Sequence, residues 1–236
     1  MTGDIFTQSH LDMSSVPLPQ ADLALSWGSL LTNRILVVVA VLLLLANLPN
    51  FFRIFPDLMN CLWRPRGNAS LEHSANLARM RNMTAMVFII PVCLIAARYE
   101  LYNPEFFSKV NPLWHAPMVI GMLIAYVLFR HLLFLLFKPG RMHAEVEDTM
   151  HHVLYTFFCI LATIMLATIV VVRIAGIPEA TVRTVLIWET AVVFFLSLIR
   201  TGQIFAQHIN GFSTILYLCI LELIPAAAVV ASAIIF

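Results

Sequence analysis

Six long apolar segments dominate this 236-residue chain. A transmembrane α-helix needs about 20 mainly apolar residues to cross a hydrocarbon core about 30 Å thick. Each of the six segments is long enough, although Arg98 and Glu100 shorten the second one. The sequence therefore predicts an all-α, polytopic membrane bundle of about six transmembrane helices, at 28–49, 83–102, 114–137, 152–173, 184–206 and 212–235.

The composition agrees with a membrane location and excludes several classes of partner. Hydrophobic residues make up 61% of the chain and charged residues only 11%, against roughly 25% charged in soluble domains. A net charge of +1 without a basic face argues against a nucleic-acid partner. The predicted partner is the lipid bilayer. The four cysteines form no C-x-x-C pair, so we expect free thiols and no disulfide framework.

The domain organisation is simple. Residues 1–26 contain three aspartates and no lysine or arginine, so they lack the basic region of a signal peptide. We expect them to form an extracytoplasmic tail before a single transmembrane domain at 27–236. Within it, residues 50–82 mix large apolar side chains with charges, which predicts an interfacial segment followed by a polar cytoplasmic loop.

The distribution of Lys and Arg predicts the orientation. The loops at 50–82 and 138–151 hold seven of the fourteen Lys and Arg residues, whereas the opposite side has only Arg98, Lys109, Arg173 and Arg183 near its span ends. The side richer in positive charge is usually cytoplasmic. Both termini are then expected on the extracytoplasmic side of the membrane.

One carboxylate marks a candidate site. Glu222 lies about ten residues from either end of the last apolar segment. A charge at that depth costs several kcal/mol unless it is neutralised, paired or hydrated, so it indicates a functional site by default. Pro225 cannot donate a hydrogen bond to the carbonyl of Leu221, which leaves an acceptor beside the acid.

Two arginines are candidate partners for Glu222. Arg130 and Arg200 lie about 10 Å from the cytoplasmic ends of their helices, and Glu222 lies about 15 Å from that side. An arginine side chain spans the difference. The complete predicted polar site consists of Glu222, Arg200, Arg130, Gln203, Gln207 and Tyr217.

The same residues allow other interpretations. Buried ion pairs also fix helix register without any chemistry, and both arginines can extend to the cytoplasmic surface unpaired. Glu189 shares the polar face of the fifth segment with Arg200, but it is nearer the outer interface, where we expect water to solvate it.

A second constellation contains the weak metal-binding candidates. If the fourth helix begins early, His143, Glu147 and His151 follow i, i+4, i+8 spacing, with His152 adjacent. Imidazole and carboxylate ligands suit iron, zinc or manganese. The alternative is that the acids stabilise a helix N-terminus and that the histidines lie among lipid headgroups. No phosphate-binding loop, dinucleotide fingerprint or nucleophile elbow is present, and the identity of any cofactor stays open.

The C-terminal quarter resembles a known family. The run Tyr217-Leu-Cys-Ile-Leu-Glu222-Leu-Ile-Pro225, preceded by Phe195–Arg200, is similar to the end of domain-of-unknown-function family 4271. Its members are bacterial integral membrane proteins of similar length, typically ending in Tyr-Leu-Cys-x-Leu-Glu-x-x-Pro. The resemblance implies an inner-membrane protein of about six helices and implies no activity.

Three functional hypotheses follow. The first is a transport or envelope-biogenesis component with a polar cavity around Glu222 that handles a proton, an ion or a lipid headgroup. The second is a non-catalytic subunit of a larger membrane complex or homo-oligomer. The third is a metal-dependent membrane enzyme that uses the histidine cluster; on balance the sequence favours a protein that is not an enzyme.

Overall fold

The structure is a computed structural model that describes residues 27–28, 30–63, 74–104, 107, 110–136, 144–208 and 211–235. Throughout these ranges the regular secondary structure is helical, and six helical segments are long and apolar enough to cross a membrane. The predicted all-α, multi-pass membrane architecture is therefore confirmed.

The first five spans are single helices, and the sixth contains an irregular turn. They are α1 (Leu31–Trp63), α2 (Ala75–Arg98), α3 (His115–Leu136), α4 (Ala144–Ala175) and α5 (Glu179–His208). The sixth span consists of α6 (Gly211–Leu218), a π-helical turn (Cys219–Leu223) and α7 (Ile224–Ile235). A short 3₁₀ turn, Pro112–Trp114, precedes α3.

Helix α1 is longer than the sequence predicted. The expected end near residue 49 is wrong, because the helix continues for 33 residues to Trp63, a length of about 50 Å. Ile54, Leu58 and Cys61 lie on one face of this extension and are fully buried. Residues 51–63 therefore form part of the helical bundle. The polar part of the expected loop, at 64–73, lies outside the described residues.

Helix α2 occupies the centre of the bundle. It packs against α1, α3 and α4. Of the 18-residue apolar stretch in each helix, 50% is buried within the protein in α2, against 11% in α1 and 17% in α3. It begins at Ala75, eight residues before the predicted start at 83. Residues 75–82 contain no helix breaker, so the helix continues from the membrane into the basic segment.

The remaining boundaries agree with expectation within a few residues, except at the start of α4. That helix begins at Ala144, although its apolar span covers only Val153–Ala175. Helix α5 follows it through a tight turn in which Gly176 adopts a φ of 65°. This left-handed conformation favours glycine because it has no Cβ.

Side-chain contacts bring helix ends together on two sides of the bundle. On the side where α1, α3 and α5 end, which we name the basic side, Arg200 donates to the carbonyl of Leu62. On the opposite side Arg98 pairs with Glu179 at 3.0 Å and lies 5.3 Å from the ring centroid of Trp27. The predicted tail at 1–26 lies outside the described residues.

One apolar core joins α1, α2, α4 and α5. Its buried members include Leu58 on α1, Phe88 on α2, Ile160 on α4 and Leu186 on α5. Most of the remaining large apolar side chains of α1, α3 and α5 point outward and are exposed. That pattern fits helices surrounded by lipid, because hydrocarbon chains are as apolar as the side chains they touch.

A buried hydrogen bond ties α1 to α2 within this bundle. Asn47 Nδ2 donates to Thr84 Oγ1 at 3.0 Å, and both side chains are buried. An amide at that position needs a partner because the surrounding lipid cannot supply one. The bond therefore fixes the register between the two helices.

We predict measurable coupling between Asn47 and Thr84. Asn47→Ala and Thr84→Ala should each destabilise the folded protein, and the double variant should lose less than the sum of the two. The expected coupling free energy is about 0.6 to 2 kcal/mol, measured by unfolding the purified protein in mixed detergent. Strictly additive effects would show that the bond contributes nothing to stability.

Candidate functional site

The centre of the candidate site is an ion pair between α3 and the sixth span. Arg130 Nη2 donates to Glu222 Oε1 at 2.5 Å. The side chains are only 7% and 3% exposed. Of the two arginines that the sequence offered as partners for Glu222, the structure selects Arg130.

Helical geometry explains why these two side chains meet. Arg130 lies six residues before the end of α3, about 9 Å from the basic side. Glu222 lies eleven residues after Gly211, about 16 Å from the same side. The long arginine side chain extends across this difference in depth, as the sequence had predicted.

Apolar side chains shield the pair from lipid. Leu133 and Phe134 follow Arg130 on α3, and Leu221 precedes Glu222. These three are buried together, with Tyr217 and Ile204 packed against them. The ion pair therefore lies beside a small apolar cluster that belongs to α3, α5 and the sixth span. Tyr126, one turn before Arg130, lies within electrostatic reach of both charges.

Glu222 lies in a stretch of irregular backbone. Residues Cys219–Leu223 form a π-helical turn, in which Ile224 N–H donates to the carbonyl of Cys219, five residues earlier. Such turns insert one extra residue into a helix and occur frequently at functional sites. Pro225 has no N–H, so it cannot donate to the carbonyl of Ile220 or of Leu221. The Glu222 side chain is thus attached to a stretch of backbone in which the regular α-helical hydrogen bonds are interrupted.

The pair leaves one arginine donor unused. Arg130 Nε is buried and has no hydrogen-bond partner among the described residues. An arginine has five N–H donors, and a buried donor without an acceptor costs about 1 to 3 kcal/mol. The site therefore has capacity for another acceptor, such as water or an anionic oxygen.

Of the other predicted site residues, Tyr217 packs against the apolar cluster beside the pair, whereas Arg200 and Gln203 lie elsewhere. Arg200 donates to the carbonyl of Leu62 and, at 3.0 Å, to Gln203 Oε1, so it fastens α5 to the end of α1. Gln203 is exposed. The side chain of Gln207 lies outside the described residues. The structure thus divides the predicted cluster into an α3–sixth-span pair and a separate α1–α5 contact.

The predicted metal-binding candidates are the histidine cluster at the start of α4. His143 and the side chains of Glu147, His151 and His152 lie outside the described residues. Within the part of the chain that is described, no group of three or more His, Cys, Asp or Glu side chains is placed to hold a metal ion.

Arg81 and Glu189 lie in environments that the sequence did not predict. Arg81, assigned above to a cytoplasmic loop, is 1% exposed; its guanidinium donates to Asn82 Oδ1 and its carbonyl lies 3.9 Å from Cys159 Sγ. The uninterrupted helical composition of residues 75–82 was the signal that would have placed it in α2. Glu189 was expected in water, but it is half-buried and accepts a hydrogen bond from Thr168.

Comparisons with known proteins add no relatives. No protein-family model, curated protein or solved structure shows significant similarity to this chain. The resemblance of the C-terminal segment to domain-of-unknown-function family 4271 stays a prediction.

We predict that Arg130 and Glu222 stabilise the fold only as a pair. Arg130→Gln leaves a buried carboxylate without its cation, and Glu222→Gln leaves a buried guanidinium without its anion. Each should lower the free energy of unfolding by about 3 to 5 kcal/mol. The double variant, with two neutral amides, should recover much of the loss.

Arg200→Gln is the matched control, since it removes an arginine at similar depth that contacts a carbonyl and a glutamine. Unfolding in mixed detergent, followed by circular dichroism, measures all four variants. Equal losses in the single and double variants would contradict a mutual dependence of the two charges.

Proposed function

We propose that this multi-pass membrane protein is a transport or envelope-biogenesis component in which the Arg130–Glu222 pair handles a proton, an ion or a lipid headgroup. The observation that carries the proposal is the position of this buried pair at the π-helical turn of the sixth span. Ionisable groups inside a membrane commonly belong to ion pathways and proton relays.

The two charges can be paired or separated. In the paired state each charge neutralises the other. The pair separates when a proton neutralises the Glu222 carboxylate, or when an anionic ligand takes the place of that carboxylate at Arg130. Guanidinium groups bind phosphate and carboxylate oxygens well, and the unused Nε donor of Arg130 supports binding of a further acceptor. Either event removes the direct attraction between α3 and the sixth span.

The backbone near Glu222 supports a local movement. The π-helical turn and Pro225 interrupt the regular hydrogen bonding of the sixth span at the level of the carboxylate. The turn divides the span into α6 and α7, of eight and twelve residues. Loss of the ion pair therefore acts where the helix is least regular.

A second candidate function is that of a non-catalytic subunit in a larger membrane complex. The great length of α1 and the low burial of α1 and α3 favour it, since a partner or a second copy can pack against those faces. In that case the ion pair only fixes the position of the sixth span, which is a common structural use of buried charges.

The cellular location is part of the proposal. The resemblance to family 4271 supports the bacterial inner membrane, and the Lys/Arg bias of the loops supports a cytoplasmic basic side with both termini outside.

The two functions predict different outcomes for charge reversal. Arg130→Glu combined with Glu222→Arg keeps an ion pair but moves the acid from the π-helical turn to α3. A transport role predicts normal amounts of inserted protein and no function, because the proton or ligand site has moved. A structural role predicts that the reversed pair restores both.

Complementation of a strain lacking the gene is the readout, with membrane abundance measured by immunoblotting. The neutral double variant, Arg130→Gln with Glu222→Gln, should also accumulate and fail to complement, whereas Gln203→Ala should complement. Full complementation by the neutral double variant or by the reversed pair would rule out a proton- or ligand-handling role for this site.

A further inference from the structure

Glu189 is a second carboxylate within the membrane region. It lies ten residues after the start of α5 at Glu179, about 15 Å along the helix from the opposite side. The apolar span that contains it runs from Glu179 to Ile204. Glu189 is therefore nearer the opposite side of the bundle, whereas Glu222 is nearer the basic side.

The carboxylate points into the seam between α4 and α5. Leu186 and Val193, one turn before and after it, are buried in the main core. On α4, Met165 and Val172 occupy the equivalent positions around Thr168 and are buried in the same core. Glu189 therefore replaces an apolar side chain in an otherwise continuous apolar seam.

A hydroxyl is the only partner that the structure gives this acid among the described residues. Thr168 Oγ1 donates a hydrogen bond to Glu189 Oε1. The other oxygen, Oε2, is buried and has no hydrogen-bond partner in the described part of the chain. Glu222, in contrast, has a guanidinium in direct contact.

The cations nearest along the two helices lie towards the opposite side of the bundle. Arg173 follows Thr168 by five residues and Arg183 precedes Glu189 by six, which places them about 8 to 9 Å away along the helix axes. Both are exposed. Neither forms an ion pair with Glu189 in the described structure, and α4 between Val153 and Val172 carries no other titratable group than Tyr155 and Cys159.

Electrostatics then decides the state of the carboxylate. An ionised carboxylate without a cation costs far more in an apolar medium than a neutral acid that keeps one hydrogen bond. We propose that Glu189 is an intramembrane proton-binding site, in which a proton supplies the neutralisation that Arg130 supplies to Glu222. The Thr168 hydroxyl, which can donate or accept, serves the acid in either state. This proposal does not depend on the function of the Arg130–Glu222 pair.

A lipid-soluble carbodiimide tests the proposal directly. Dicyclohexylcarbodiimide takes the proton of a carboxylic acid onto a nitrogen while the carboxylate oxygen adds to its central carbon. The product rearranges to a stable N-acylurea that retains the whole reagent mass. In the full-length protein reconstituted in lipid vesicles, we expect this adduct on the Glu189 peptide at neutral pH, with labelling that falls as the pH rises.

The same digest contains the internal control. The Glu222 peptide should stay unmodified because its carboxylate is paired with Arg130. Glu189→Gln should lose the adduct, and it should also lose the infrared carbonyl band of a protonated carboxylic acid. Absence of the Glu189 adduct at every pH would overturn the proposal and would indicate a cation from a partner chain. Equal labelling of Glu222 would also overturn it, because the reagent would then react with a carboxylate that has a cation as readily as with one that has none.

Discussion

The absence of water in the bilayer is the constraint on which this structure depends. A polar group in hydrocarbon must find its partner within the protein, and in three contacts of this bundle the partners lie on different helices. Asn47 bonds to Thr84 between α1 and α2, Arg130 to Glu222 between α3 and the sixth span, and Arg200 to the Leu62 carbonyl between α5 and α1. Lipid provides little preference for one apolar face over another. These polar contacts therefore determine which helix faces are neighbours.

Helices α1, α2, α4 and α5 share one buried core, whereas the sixth span lies against α3 and meets α5 mainly near their connecting turn. The apolar cluster at that interface is small, since its buried members are Leu133, Phe134 and Leu221. The Arg130–Glu222 ion pair lies beside this small cluster at the same interface. An element held by few apolar contacts and one neutralisable ion pair is easier to displace than one that is embedded in the core.

The sequence predicted the spans because length and composition alone decide whether a segment enters a bilayer. It did not predict where α1 ends or where α2 begins. Residues 51–63 contain two charges and a proline, which resemble a surface segment until Ile54, Leu58 and Cys61 are seen packed in the core. The choice of Arg130 over Arg200 was also beyond the sequence. Both arginines have suitable depth, and only the packing order of the helices shows that α3 adjoins Glu222 while α5 turns Arg200 towards α1.

The two intramembrane acids illustrate why depth alone was an incomplete guide. Glu189 and Glu222 lie at comparable distances from opposite sides of the bundle, yet one faces a hydroxyl and the other a guanidinium. A carboxylate that already has a cation changes state when an anion or a proton competes for that contact, so it responds to ligands as well as to pH. In our proposal a proton neutralises Glu189, whereas Arg130 neutralises Glu222. The partner that helix packing supplies, more than the depth of the acid, therefore distinguishes the two carboxylates.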